Sequence, residues 1–485
     1  MRLIKYSSWF LIISITTLAS ITVLEMFGIF YELALSALIL VVVLFFPLFF
    51  RNVKWYEPVF AVNAMYALFA LAVIYFSVSG FSRAEHAIHG IAELQKRAPL
   101  VVLYISIWLL VFYGGYLSIR KVPLKEDVDN VVSEPLKGVD PLVLKVSIYF
   151  LFLVAIANVL YNVWLFSPSD PVGYFLNFGV ARHRDMVNDG IYTTLGYNLF
   201  IVGLVLFRCS FSEWSFRRSF IYFSMLVITL FAMVSRGQIF FTFSVLMFIF
   251  ILEYFLIRNR RAYFRWALVL FPTIFLVMVG AYFLRLVSVE VYLSRISGDE
   301  IGWFSAFSEK LPQFMGLIFG KGNVPNLPAM IVYEDHYGGV EGFLWGESLL
   351  NWITAFVPTW NGTYIGYGIS DIWYPNNVGG IPPGLIHELY ANFGYFGSLV
   401  AAYIFGYLGA LSFNLVSRSK SVLVFLVYSA LLVRFWFILP KVEFAVLSNA
   451  IWLFIPSVIS IFALIWVTYI ISRIRLKGFY DSSFQ

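Results

Sequence analysis

Arginines at the ends of apolar stretches are the residues of this sequence whose type and placement point to chemistry. Six of them stand out: Arg182, Arg184, Arg236, Arg285, Arg295 and Arg434. A guanidinium group is planar and permanently charged, and it binds phosphate through two parallel hydrogen bonds. An array of such groups at one boundary of a membrane suits a diphosphate held at the level of the lipid headgroups.

Two other interpretations of these arginines stay open. An arginine near a helix end can extend its charged head to the membrane interface at little cost. The arginines can also pair with carboxylates of the same face. The candidates for such pairs are Asp185, Asp189, Glu290 and Glu388.

A second candidate group lies in the segment 379–410, "GGIPPGLIHELYANFGYFGSLVAAYIFGYLGA". The Pro-Pro-Gly sequence at 382–384 cannot continue a helix, so it ends the preceding loop. The chain then enters an apolar stretch and carries His387 and Glu388 to its start. Either side chain would act as a general base if it reached an acceptor hydroxyl. For Glu388 the alternative is a structural role, because the helix dipole stabilises an acid near a helix start.

A metal site is not predicted. The nearest carboxylate groups, "SGDE" at 297–300 and "YEDH" at 333–336, are interpreted as loop carboxylates. His86 and His89 have the i, i+3 spacing of a helical pair, but a pair without a third ligand is weak evidence for metal. The expectation is therefore a site without metal or other cofactor, in which arginines stabilise the charge of a leaving group.

Composition indicates which elements hold these residues. The chain has 485 residues, of which 61% are hydrophobic and 12% charged, and its mean hydropathy is +0.85. Soluble domains are about 45–50% apolar and about 25% charged. Apolar stretches of about 20 residues recur along the chain, which predicts one all-α integral membrane domain over 1–485 with about twelve spanning helices. The predicted spans are 8–27, 31–50, 58–80, 99–118, 143–166, 191–208, 219–235, 237–257, 266–287, 390–415, 421–440 and 444–472.

Lysine and arginine set the predicted orientation. Basic clusters fall at alternate ends of the spans, which places both termini in the cytoplasm. The opposite face then receives a loop of about 100 residues, 288–389, with interfacial helices such as "WGESLLNWITAFVPTW" at 345–360. Its aromatic residues either form an interfacial belt or line a groove for sugars and polyprenyl chains. The one-sided distribution of reactive side chains favours an enzyme at the outer surface over a transporter.

Three stretches resemble one family. The segment 381–410 resembles the Gly-Glu-Leu-Tyr-x-Asn-Phe-Gly-x-x-Gly region of bacterial oligosaccharide repeat-unit polymerases, the O-antigen polymerase (Wzy) class. The stretches "AMVSRGQIFFTFSVLMFIF" (232–250) and "YFLRLVSVEVYLSRISG" (282–298) are similar to that family's Arg-bearing segments. The resemblance covers roughly residues 140–470. The sequence departs from the pattern at His387, where a small residue is expected, and it lacks the His-Asn pair of the related O-antigen ligases.

The resemblance implies a GT-C-type glycosyltransferase of the bacterial inner membrane with its active site facing the periplasm. Such an enzyme transfers a growing glycan from undecaprenyl diphosphate to a lipid-linked repeat unit of O-antigen or a related surface polysaccharide, and it needs neither nucleotide sugar nor metal. The arginines would bind diphosphate, and Glu388 or His387 would act on the acceptor hydroxyl. A chain-length regulator and a flippase of the same pathway are the implied partners, and nucleic acid is not one. The alternatives are a ligase-type glycan transferase and a lipid-linked oligosaccharide flippase.

Overall fold

The fold is known from a computed structural model of the chain. It describes residues 31–51, 53–79, 91–121, 141–166, 199–204, 206–208, 220–227, 229, 246–251, 302–308, 327–350, 365–366, 368–369, 383–417, 422–441 and 463–474, with single or paired positions at 254, 273–274, 276, 279–280, 283–284, 287, 291, 294, 444 and 458–459.

The described residues form helices and no strands, which agrees with the predicted all-α class. The helices named here are α1 (Tyr31–Arg51), α2 (Pro58–Ser79), α3 (Ile91–Ile119), α4 (Pro141–Phe166), α5 (Leu327–His336), α6 (Glu347–Leu350), α7 (Gly384–Ser417) and α8 (Val422–Leu431), and a π-helix follows α8 over Leu432–Phe437. Further helical residues include Ala463–Ile474. Extended pairing in this part of the chain is limited to a bridge between Tyr337 and Glu341.

Among the described residues, two helices are long and apolar enough to cross a membrane. They are Lys96–Ile119, which is most of α3, and the whole of α7. Shorter apolar helices coincide with other predicted spans, among them 31–47, 58–74 and 142–158. The predicted first span, 8–27, lies outside the described residues, so the number of spans and their orientation remain predictions.

Helix α7 begins earlier than its predicted span. The helix starts at Gly384, directly after the prolines, whereas the apolar pattern alone favoured residue 390. The polar side chains His387, Glu388 and Asn392 lowered the apparent hydropathy of the first turns. All three are buried inside the protein, so these turns belong to the helix despite their polarity.

The chain divides into two compact units. The first contains Met1–Lys121, Met315–Asn414 and Arg434–Asn449, and therefore holds α1–α3, α5, α6 and nearly all of α7. The second contains Val122–Phe314, Leu415–Val433 and Ala450–Gln485, including α4 and α8. The residues of the candidate site that the structure describes all belong to the first unit.

Within the first unit, α3 and α7 run parallel in close contact. Near their midpoints the hydroxyls of Tyr104 and Ser398, 294 positions apart, hydrogen-bond to each other. Near their ends Asn414 donates to the carbonyl of Ile119, 295 positions away, at 2.9 Å. This constant offset shows that both helices begin at the same end of the unit. The span order makes the same prediction for this pair, since both are even-numbered.

A buried ion pair lies beside the C-terminal end of α3. Glu57 precedes α2 and Arg120 follows α3, and their side chains are joined by two bonds of 2.7 Å. The hydroxyl of Tyr116 donates to the same carboxylate at 2.7 Å. Both charged side chains are almost completely buried. A buried charge is tolerated only when it is paired and hydrogen-bonded, and this pair meets both conditions.

Helix α7 is interrupted at Gly394, which has φ 68° and ψ −174°. A positive φ is open to glycine at no steric cost. The interruption leaves carbonyl groups of the preceding turn without helical partners. The N–H groups of Leu344 and Trp345 donate to two of them, Ala391 and Asn392, each at 3.0 Å. The chain before α6 is thereby fixed to the first part of α7.

Candidate functional site

One of the six predicted diphosphate-binding arginines lies in the described part of the chain. Arg434 is buried within the π-helix Leu432–Phe437. Single π-turns are rare and occur frequently at functional sites. The other five lie outside the described residues: Arg182, Arg184, Arg236, Arg285 and Arg295. The diphosphate-binding array therefore remains a prediction.

A second buried cation follows the π-helix. Lys441 is almost fully buried, and burial lowers the pKa of its ammonium group to about 7. The turn that carries it packs on the start of α7, where the Leu385 N–H donates to the Leu439 carbonyl at 3.1 Å. A Cβ on Gly384 would lie 2.1 Å from the carbonyl oxygen of Pro440. Glycine at 384 is therefore required for this close approach as well as for its φ of 72°.

Glu388, one of the two candidate bases, is fully buried and its carboxylate is engaged within the protein. One oxygen accepts a hydrogen bond from the Ser348 hydroxyl at 2.9 Å, and the other accepts from the Phe444 N–H at 2.5 Å. Asn392 donates to the same Ser348 oxygen at 2.6 Å. This network connects α6, α7 and the chain after the π-helix. It gives Glu388 a clear structural role.

His387, the other candidate, is equally buried but points into a different environment. Its Nε2 lies 3.5 Å from Oε1 of Glu334. Within the described part of the chain, both ring nitrogens and that carboxylate oxygen lack a hydrogen-bond partner. The Tyr104 ring meets the imidazole edge-on, with centroids 6.3 Å apart. An unsatisfied buried polar atom costs about 1–3 kcal/mol, so the pair is an exception that calls for a functional explanation.

Glu334 corrects one expectation from the sequence. The "YEDH" residues, expected to be loop carboxylates, are the last four residues of helix α5. The apolar residues that precede them, such as Ile331 and Val332, are completely buried, and this packing extends the helix through the acidic pair. The polar residues at 333–336 had suggested a loop, because no local sequence pattern distinguishes a buried acidic residue from an exposed one.

Arg97 joins the same cluster from α3. Its guanidinium hydrogen-bonds to the Asp335 carboxylate and lies 3.6 Å from Oε2 of Glu334. Neither Arg97 nor Glu334 was selected from the sequence. Arg97 lies just before the predicted span 99–118, so the criterion applied to the other arginines, a position at the end of an apolar stretch, would have found it.

Three tyrosines surround this group of charges. Tyr395 packs against Tyr104 and Tyr390, with ring centroids 4.8 and 4.6 Å away. The Tyr390 hydroxyl donates to the Glu334 backbone carbonyl at 3.2 Å, so the Tyr395 ring packs on a tyrosine that is itself bonded to Glu334. Together with Arg97, Asp335 and His387 these residues form what we call the α3–α5–α7 cluster.

Exposure divides the cluster into a front and a back. The side chains of Arg97 and Asp335 are 24% and 27% exposed, and Tyr395 is 48% exposed. Glu334 and His387 lie behind them. A molecule that approaches the cluster therefore meets a tyrosine, a guanidinium and a carboxylate first.

The charge of the cluster limits what it can bind. Arg97 faces the carboxylates of Glu334 and Asp335, so the net charge of the cluster is negative when His387 is neutral. A second anion such as a diphosphate would be repelled by the carboxylates. Hydroxyl groups are the better match, because carboxylates accept from them and guanidinium donates to them. Among the described residues, no three His, Cys, Asp or Glu side chains form a group able to hold a metal.

Comparison with known proteins leaves the family open. No protein family model, curated protein or solved structure matches this chain. The function proposed below therefore rests on the residues, their geometry and the resemblance of the three short stretches.

Proposed function

We propose that this protein is a membrane-embedded glycosyltransferase that polymerises oligosaccharide repeat units carried on undecaprenyl diphosphate. The observation that carries the proposal is the α3–α5–α7 cluster, which gathers ionisable and aromatic side chains at the common starting end of two parallel, membrane-length helices. Such groups are costly near a bilayer and mark functional sites in membrane proteins.

The cluster has the chemistry of a sugar-acceptor site. A sugar presents hydroxyl groups around an apolar ring face, and side chains that combine aromatic rings with hydrogen-bonding groups suit both. Tyr395, Arg97 and Asp335 offer this combination at the exposed front of the cluster. The negative sum of charges favours the neutral acceptor sugar here and directs the donor diphosphate to the arginines predicted from the sequence, with Arg434 among them.

The proposed reaction joins the two substrates without metal or nucleotide sugar. An acceptor hydroxyl attacks the anomeric carbon of the growing glycan, and the bond from that carbon to the diphosphate oxygen breaks. Undecaprenyl diphosphate leaves with the electron pair. In the proposed orientation, the starting ends of α3 and α7 face the periplasm of a bacterial inner membrane.

Reconstitution tests the proposal. The full chain is placed in liposomes with lipid-linked repeat units extracted from the producing cells, and products are separated by length on a gel. A ladder of longer glycans without added nucleotide sugar supports the polymerase. Transbilayer movement without chain growth contradicts it and indicates a flippase, and transfer only to lipid A core indicates a ligase.

Matched arginine variants test the diphosphate role. Arg434→Ala and Arg434→Lys are both expected to lower chain growth about tenfold or more, because lysine does not reproduce bidentate phosphate binding. Arg473→Ala is the control, since Arg473 lies on an exposed helix surface over the ring of Tyr469. Chain growth by Arg434→Ala equal to that of Arg473→Ala would remove Arg434 from the diphosphate site.

A further inference from the structure

We propose that Glu334 is the proton acceptor of the glycosyl transfer, that Tyr395 connects it to the acceptor hydroxyl, and that His387 is the positioning residue behind it. This inference rests on the proposed function and assigns residues within the same site. It gives the central role to a carboxylate that the sequence did not single out, in preference to Glu388.

The first argument is the contrast between the two buried carboxylates. Both oxygens of Glu388 already accept hydrogen bonds, from Ser348 and from the Phe444 N–H. In Glu334, Oε1 has no hydrogen-bond donor among the described residues. A carboxylate whose lone pairs are occupied by donors holds its charge tightly, whereas one with a vacant lone pair is prepared to take a proton.

The second argument is the position of His387. Its Nε2 lies 3.5 Å from Glu334 Oε1, slightly beyond hydrogen-bond length. A proton on either atom would convert this contact into a hydrogen bond with a small side-chain movement. The energy lost at two unsatisfied buried atoms would then be recovered when the proton arrives.

The third argument is the set of groups that face this pair. Arg97 from α3 and Asp335 from α5 lie on the Oε2 side of Glu334. Among the described residues, Tyr104 from α3 contacts the His387 ring and Tyr390 from α7 binds the Glu334 backbone. Arg97 lies 3.6 Å from Oε2 of Glu334 and also binds Asp335, so its positive charge is shared between two carboxylates.

The fourth argument is access. Glu334 is buried, but Tyr395 is 48% exposed and packs on Tyr390, whose hydroxyl is bonded to the Glu334 backbone. In the proposed step the acceptor O–H bond breaks and its proton passes to the Tyr395 oxygen, while Tyr395 passes its own proton to Glu334. The acceptor oxygen forms the bond to the anomeric carbon, and the carbon–oxygen bond to diphosphate breaks. Tyr395 is unchanged, Glu334 ends protonated, and undecaprenyl diphosphate carries the electron pair away.

The experiment measures chain growth by purified variants in liposomes over a range of pH. Glu334→Gln keeps the shape of the side chain but cannot take the proton, so kcat should fall about 100-fold or more while KM for the lipid-linked repeat stays within about threefold. Tyr395→Phe should lower kcat at least about tenfold. His387→Asn should move the acid limb of the pH profile, which a purely structural change would leave in place.

Two controls match the chemistry. Glu341→Gln removes a carboxylate whose side chain is 55% exposed, and Tyr407→Phe removes a hydroxyl from an exposed tyrosine farther along α7. Both should retain wild-type kcat.

The outcomes separate the two proposals. If the wild type builds chains and Glu334→Gln builds them at a similar rate with the same pH profile, this inference is wrong and the polymerase proposal stands. If the wild type builds none, the proposed function fails. If Glu334→Gln does not fold, as judged by gel filtration, Tyr395→Phe provides the test, because this variant keeps the half-exposed ring. An unchanged kcat and an unchanged pH profile of Tyr395→Phe would then overturn the proposed proton route.

Discussion

The close packing of α3 on α7 makes a sharp prediction for two adjacent glycines. A Cβ added to Gly115 would lie 2.0 Å from the carbonyl oxygen of Tyr403, whereas a Cβ on Gly114 meets nothing within 4 Å. Gly115→Ala and Gly114→Ala are therefore the same chemical change at neighbouring positions of one helix. Only the first requires the two helices to separate.

The magnitude follows from the distances. A carbon–oxygen contact normally measures about 3.3–3.6 Å, so Gly115→Ala must move α3 and α7 apart by more than about 1 Å. Overpacking of this kind costs about 1–3 kcal/mol. At Gly114 the change brings only the gain in helix propensity, about 0.5–1 kcal/mol. The two variants should differ by about 1.5–4 kcal/mol, with Gly115→Ala the less stable.

Thermal unfolding in detergent, followed by tryptophan fluorescence, compares the variants with the wild type. Gly115→Ala should unfold several degrees lower, and chain growth should fall with it, because Tyr104 and His387 are aligned by the same pair of helices. Gly114→Ala should match or exceed the wild type. Equal unfolding temperatures for the two variants would refute the parallel contact between α3 and α7.

Two further predictions concern buried charges. Arg120→Met leaves Glu57 buried without its two 2.7 Å ion-pair bonds and should lower the free energy of unfolding by about 3–5 kcal/mol. In denaturant titrations, adding Glu57→Gln should restore much of this loss. Equal stability of the single and double variants would contradict the prediction. Burial lowers the pKa of Lys441 to about 7, while in the unfolded chain it is about 10.4. Between these values the unfolded state binds more protons than the folded state. The unfolding free energy should therefore rise with pH by up to about 1.4 kcal/mol per pH unit. This added stability disappears as the pH falls toward 7. Lys441→Met should flatten this dependence between pH 7.5 and 9.5, and an unaltered slope would exclude Lys441 as its source.

Helices could be predicted from the sequence to within a few residues where apolar runs are long. The helices α1, α2 and α4 closely follow the predicted spans, because the hydropathy of about 20 consecutive residues is a local property. The Pro-Pro-Gly sequence at 382–384 likewise located the start of α7. The span limit at 390 was late because burial of polar side chains is decided by distant residues.

The candidate site was predictable only in part. His387 and Glu388 were selected from the sequence, and both are buried in the first unit. The sequence did not show that their surroundings differ. Ser348 and Phe444 occupy the carboxylate of Glu388, and they are 40 and 56 positions away from it. No periodicity relates such residues.

Composition and the spacing of apolar runs thus determined a helical chain of membrane character, the boundary before α7 and the residue types available for chemistry. The tertiary structure decided which of those residues meet. Arg97 and Asp335, 238 positions apart in the chain, form an ion pair because α3 and α7 run in parallel and α5 packs beside them. Charge pairing and desolvation fall off within a few ångströms, so they depend on neighbours in space, and only the packing of the helices supplies those.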